Sequence, residues 1–108
     1  MGRIKHAVVF KLKAGTSAEQ AREIMAALAG LKGKIPGLLD FSGGPYSSPE
    51  GLNQGFTHGF VMTFADAASR DGYLPHPEHE KVKQLIFPRL EGGLAGVIAF
   101  DWEEQGGP

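Results

Sequence analysis

Two histidines, a tyrosine and two prolines crowd into seven residues, Tyr73-Leu74-Pro75-His76-Pro77-Glu78-His79. An imidazole titrates near neutral pH, so it can take up or return a proton under ordinary conditions. A phenol can donate a hydrogen bond to a carbonyl oxygen as negative charge grows on it. Together these groups suit a reaction that removes a proton from a carbon beside a carbonyl. Tyr73 and His79 are the expected catalytic pair, with His79 as base and Tyr73 as oxyanion donor. The competing reading is a satisfied helix-start histidine beside a core tyrosine with a wet hydroxyl.

The other two histidines, His6 and His58, each interrupt an otherwise apolar row of alternating residues. Burying an imidazole without a partner is costly, so each must find a hydrogen bond, water or ligand. Both are expected to border the same pocket and to orient His79 or a bound molecule. The alternative is a core histidine bonded to backbone or to the other histidine. His76 reads first as a helix cap, with ligand contact as the lesser reading, and Phe10 and Phe60 belong to a core row of which part walls an apolar cavity. His76 and His79, with His6 and His58 nearby, form the one candidate metal set. No carboxylate is placed beside all four, and His-Pro-Glu-His is not a zincin spacing. No metal and no cofactor are expected, and a metal- or haem-dependent oxygenase is the least favoured class.

These residues must be held by strands and helices. Residues 3–13 alternate as a strand, with Ile4, His6, Val8, Phe10 and Leu12 on one face. Thr16-Ser17-Ala18-Glu19 has the form of a capping box. Ala21, Ile24, Met25, Leu28 and Leu31 then follow at helical spacing. Residues 38–42 read as a short strand and 43–55 as a glycine-rich loop. The strongest strand is 56–64, with Phe56, His58, Phe60, Met62 and Phe64 on one face. Asp66 caps a short helix that Tyr73 closes and Gly72 weakens. Proline is tolerated in a first helical turn, so His76 is the N-cap and Pro77 the first residue of a helix over 77–91. Val82, Leu85, Ile86 and Leu90 form its buried stripe, Pro88 disturbs its last turns and Gly92-Gly93 ends it. Residues 94–102 form the last strand, and 103–108 a frayed tail.

The order β-α-β-β-α-β predicts an α+β, ferredoxin-like sandwich with helices on one face of the sheet. The bulky rows, including Phe10, Phe60, Phe64 and Phe100, are expected to meet the helices. Ala7, Val9, Val61, Val97 and Ala99 would then leave a small, smooth apolar face bare. Such a face calls for cover by a second copy of the chain.

The chain has 108 residues, enough for one domain over 1–108 with a core from about 4 to 102. Its net charge of -1 and pI near 6.4 carry no nucleic-acid or membrane footprint. Without cysteine there is no disulfide, zinc thiolate or thiol nucleophile. No run approaches the roughly 20 apolar residues of a membrane span. A cytoplasmic protein is expected, with neither nucleic acid nor membrane as partner.

His6-Ala-Val-Val-Phe-Lys11, Lys34-Ile-Pro-Gly37, Gly55-Phe-Thr-His58 and Tyr73-Leu-Pro-His-Pro-Glu-His79 follow one another in an order and spacing that resemble the stress-responsive dimeric α/β-barrel (Dabb) family. The resemblance runs from about Ile4 to Trp102 and is most specific in the Tyr-x-x-His-Pro-x-His run. It implies a homodimer whose two sheets form a barrel. The family includes the plant cyclase that makes olivetolic acid, which closes a linear poly-β-ketone thioester by aldol condensation without a cofactor. That cyclase uses the tyrosine and last histidine of the run, which correspond to Tyr73 and His79. Its strand histidines match His6 and His58. The resemblance thus implies a cofactor-independent lyase or cyclase acting on an apolar carbonyl compound. The alternative is a small-molecule-binding or stress-response protein with the same pocket and no turnover.

Overall fold

The computed structural model describes residues 2–105. Four strands form one antiparallel sheet: β1 (Ile4–Phe10), β2 (Leu38–Pro45), β3 (His58–Phe64) and β4 (Val97–Glu103). Their order across the sheet is β2-β3-β1-β4. Helices α1 (Ala18–Gly30), α2 (Ala67–Tyr73) and α3 (Pro77–Ile86) complete the β-α-β-β-α-β order, with the second helical crossover split in two. This is the ferredoxin-like fold that the sequence predicts.

Strand alternation decides the core. Ile4, His6, Val8 and Phe10 of β1 are buried, as are Phe60, Met62 and Phe64 of β3. Ile24, Leu28 and Leu31 press on this face from α1 and the 3₁₀ turn that follows it. Burying each such side chain contributes about 1.5–3 kcal/mol.

Several boundaries differ from expectation, each for a local reason. The capping box starts at Ser17, not Thr16: Ser17 accepts from the Gln20 N–H, and the Gln20 side chain accepts from the Ser17 N–H. Thr16 instead donates to the Lys13 carbonyl and accepts from Arg89. Strand β2 runs on to Pro45, so the loop after it is shorter than 43–55. Strand β3 begins at His58, two residues later than expected. Helix α3 stops at Ile86 and gives way to a 3₁₀ turn over Phe87–Arg89, because Pro88 has no N–H to continue the ladder. Leu85 faces outward at 41% exposure, so it leaves the expected buried stripe. Gly92 and Gly93 both take positive φ, and a 3₁₀ turn over Gly93–Gly96 uses up residues expected in the last strand. The tail after 102 is partly ordered: Glu103 is in β4, and the Glu104 N–H donates to the Arg3 carbonyl at 2.8 Å. Residues 106–108 of the expected tail lie outside the described residues.

The largest correction concerns β4. Its register pairs Ala7 with Phe100, Val9 with Ile98 and His6 with Asp101. Phe100 therefore points away from the helices and is 67% exposed. Val97, Ala99 and Asp101 take the helix side in its place. The bare face is accordingly bulky, with Val9, Ile98, Phe100 and Trp102 all exposed on it.

Candidate functional site

A cavity of about 690 Å³ lies between the helix side of the sheet and α3. Its walls are apolar: Val8, Phe10 and Phe60 from the sheet, Leu28 from α1, and Val82 and Ile86 from α3. Three polar rings interrupt them, those of His6, Tyr73 and His79.

Tyr73 is set by α2. Asp66 caps that helix by accepting from the Ser69 N–H at 2.8 Å. Gly37 turns through positive φ directly under Ser69, where any Cβ would run into the serine side chain, so α2 can dock close to β2. Pro75 then precedes the cap of α3. His76 accepts from the Glu78 N–H through Nδ1 at 3.1 Å, and Pro77 occupies the first helical position. This compact double turn brings the imidazole of His79 flat against Tyr73, with ring centroids 4.1 Å apart and planes at 23°.

The histidine tautomers follow from their partners. Nδ1 of His79 lies 3.0 Å from the Leu74 carbonyl oxygen, which only accepts, so Nδ1 carries the hydrogen. Nε2 is left as the basic nitrogen. Burial holds the His79 imidazole below its usual range, opposed in part by the Leu74 bond. The ring is therefore neutral at neutral pH and able to accept a proton. His6 is built the same way: its Nδ1 lies 2.7 Å from Asp101 Oδ1 across the strand pair. Asp101 Oδ2 accepts from Arg70 Nη1 at 2.8 Å. The His6 ring stands edge-on to Tyr73 at 5.7 Å. Burial, and then the negative charge of Asp101, push the Tyr73 phenol well above its usual range. It keeps its proton and acts as a donor. No hydrogen bond among the described residues uses its hydroxyl.

The stress responsive A/B barrel domain family (Dabb) matches residues 4–104. The chain belongs to that family. It is 30% identical over 102 residues to the stress-response A/B barrel domain-containing protein HS1 of Arabidopsis thaliana, covering 94% of this chain and 90% of that protein. A crystal structure of a dimeric ferredoxin-like protein of unknown function from Jannaschia sp. CCS1 has a TM-score of 0.84 at 30% identity, covering 95% of this chain and 100% of that one. The hydroxynitrile lyase from Passiflora edulis has the same TM-score of 0.84 at 22% identity, covering 96% and 94% of the two chains, a likeness of fold alone.

In this Dabb chain, His6, Tyr73, His79, Phe10 and Phe60 come together around one cavity. His58 and His76 do not. His58 sits at the start of β3, where it stacks on Phe10 at 5.8 Å and 16° and its Nδ1 meets the Thr57 hydroxyl at 2.9 Å. It borders a second hollow of about 480 Å³ with Tyr46, Leu52 and Phe56, and burial lowers its pKa. The expected convergence of four rings is thus a convergence of three. His76 serves as the cap and spends its Nδ1 there. Asp101 and Arg70 were not singled out from the sequence. The available signal was a carboxylate inside an apolar strand, between Phe100 and Trp102. Among the described residues, no three His, Asp or Glu side chains are arranged to hold a metal ion. No described helix is long and apolar enough to cross a membrane.

Proposed function

We propose that this Dabb chain binds a small apolar carbonyl compound in the cavity and catalyses a cofactor-independent proton transfer on it, of lyase or cyclase type. The observation that carries the reading is the His79–Tyr73 pair: a neutral imidazole with a fixed basic nitrogen, stacked on a phenol that stays protonated, in a cavity walled mostly by apolar side chains. His79 Nε2 takes a proton from the carbon next to the carbonyl, leaving an enolate. Tyr73 donates its O–H to the enolate oxygen. In a ring closure, the enolate carbon bonds a second carbonyl carbon, and the alkoxide formed there regains the proton from His79. Every atom is conserved, and no external oxidant or reductant enters. The resemblance of the Tyr-x-x-His-Pro-x-His run to that of the olivetolic acid cyclase supports the ring-closing form. The hydroxynitrile lyase fold is compatible with the cleaving form.

The test is exchange of ketone α-protons into deuterated water, followed by NMR over a panel of aryl and alkyl ketones and β-diketones. Wild type should accelerate exchange above buffer, and His79→Ala should lose about 10²–10⁴ of that rate. A second reading, binding without turnover, is favoured by the flat stacking of Tyr73 on His79, which sets both groups on one wall instead of opposite walls. Ketones that raise the melting temperature while exchange stays at the buffer rate would establish it.

A second copy of the chain is the proposed partner, covering the bare face with its own. The exposed Ile98, Phe100 and Trp102 support this, as does the dimeric state given for the Jannaschia protein.

A further inference from the structure

One charged chain runs from the surface to the cavity. Asp71 accepts from Arg70 Nε at 2.8 Å, Arg70 Nη1 donates to Asp101 Oδ2 at 2.8 Å, and Asp101 Oδ1 meets His6 Nδ1 at 2.7 Å. It joins three elements: Arg70 and Asp71 are on α2, Asp101 on β4 and His6 on β1. His6 is 7% exposed and meets this chain on one side and the cavity it lines on the other.

We infer that Arg70 is a positioning residue that holds the Asp101 carboxylate against His6, and that Asp101 so held keeps the hydrogen of His6 on Nδ1 and gives the cavity a second basic nitrogen beside Tyr73. The argument is one of donors and acceptors. A guanidinium only donates, so the atom of residue 101 facing Arg70 must accept. A carboxylate has a second oxygen, which also accepts, so His6 must present Nδ1–H to it. The lone pair then stays on Nε2, in a ring that lines the cavity. Two such rings pack on one phenol: His79 lies against a face of Tyr73, and His6 stands edge-on to it. One imidazole can remove a proton while the other, once protonated, returns one elsewhere on the same molecule. This role rests on the proton-transfer reading above; the tautomer assignment does not.

The test replaces Asp101 by its isostere. In Asp101→Asn, Arg70 still demands an acceptor and takes the amide oxygen. The amide N–H₂ then faces His6, Nδ1 must accept, and the hydrogen moves to Nε2. In the double variant D101N/R70M the demand is gone, the amide can turn either its oxygen or its N–H₂ to His6, and the Nδ1–H form reappears beside the Nε2–H form. Nitrogen-15 NMR of the imidazoles of the full chain reads both tautomers directly, with His6 assigned by its absence in His6→Gln. His79, held by the Leu74 carbonyl, should keep its tautomer in every variant and so reports that the fold is intact.

The expected series for the nitrogen bearing hydrogen in His6 is Nδ1, then Nε2, then both forms together, in wild type, D101N and D101N/R70M. A role for Arg70 in packing alone would leave the double variant like D101N, and that result would overturn the inference. So would a wild type with hydrogen on Nε2. The readings need no substrate. The expected series together with exchange at the buffer rate would refute the proposed activity while upholding the assignment of Arg70.

Discussion

The two faces of the sheet come from the same four strands, yet the tyrosine and two of the histidines singled out as candidates gather on only one side of it. On the helix side, His6, Tyr73 and His79 stand among Val8, Phe10, Phe60 and Val82 around a cavity. On the bare side, Val9, Ile98, Phe100 and Trp102 lie open with no helix above them. Alternation by single residues divides each strand: one row faces the helices and the cavity, the next the bare side. Asp101 shows how fine the division is. It sits between two exposed aromatic residues, and its carboxylate still reaches His6 on the inner side.

The sharpest way to break the contrast is on the inner face. His79→Ala should abolish accelerated α-proton exchange, a fall of about 10²–10⁴. Tyr73→Phe should lower it by about 10²–10³, as for a lost oxyanion donor. Neither should alter subunit mass by light scattering. The converse experiment is Phe100→Asp, which sets a carboxylate on the bare face. A dimeric wild type should become a monomer, because a charge buried without a partner costs several kcal/mol. A wild type that is already monomeric would remove the assembly half of the comparison.

Acid should weaken the inner face next. Burial lowers the pKa of both His79 and His58 below the usual value of about 6.5. The unfolded chain then binds more protons than the folded one between the lowered and the usual values. Stability therefore rises with pH through that window and falls as pH drops below about 6.5. Besides burial, His79 feels Lys83 and His6, which lower its pKa, and Glu80 and the Leu74 carbonyl, which raise it. Urea unfolding at about pH 7.5 and about pH 5.5 should show the loss, and His79→Gln should shrink it. An equal midpoint at both values would contradict the burial of these rings.

The sequence revealed the fold more fully than the site, and particular residues show why. In β1 and β3 the bulkier apolar residues fall on one row and smaller or charged ones on the other, so the inner rows of Ile4-His6-Val8-Phe10 and Phe60-Met62-Phe64 could be read directly. In β4 both rows are apolar: Val97 and Ala99 alternate with Ile98 and Phe100, so periodicity cannot tell inside from outside. Hydrophobic bulk then misleads, since Phe100 suits a subunit contact as well as a core. The site was legible where it is local. Pro75, His76 and Pro77 dictate a tight double turn, and that turn alone brings His79 to Tyr73. It was hidden where it depends on register between distant strands, as in the pairing of His6 with Asp101.

The smallest expected effect tests the position of His58, which looks equivalent to His6 in sequence. Both rings lie on the helix side, but Phe10 pairs with His58 while His6 pairs with Met62. Four residues therefore separate them along the sheet, about 13 Å at 3.3 Å per residue. That distance takes His58 out of the cavity and onto the ring of Phe10. His58→Ala loses one stacked ring pair and a hydrogen bond to the Thr57 hydroxyl, which water can replace. The cost should be about 0.5–1.5 kcal/mol in urea unfolding. His6→Ala should cost more, about 1–3 kcal/mol, because it strips a partner from the partly buried Asp101 carboxylate. Exchange activity should stay within about twofold of wild type in His58→Ala, since a residue outside the cavity touches no reacting atom. A loss as large as that of His79→Ala would mean that the two ends of this face work as one site, and that strand position does not separate them.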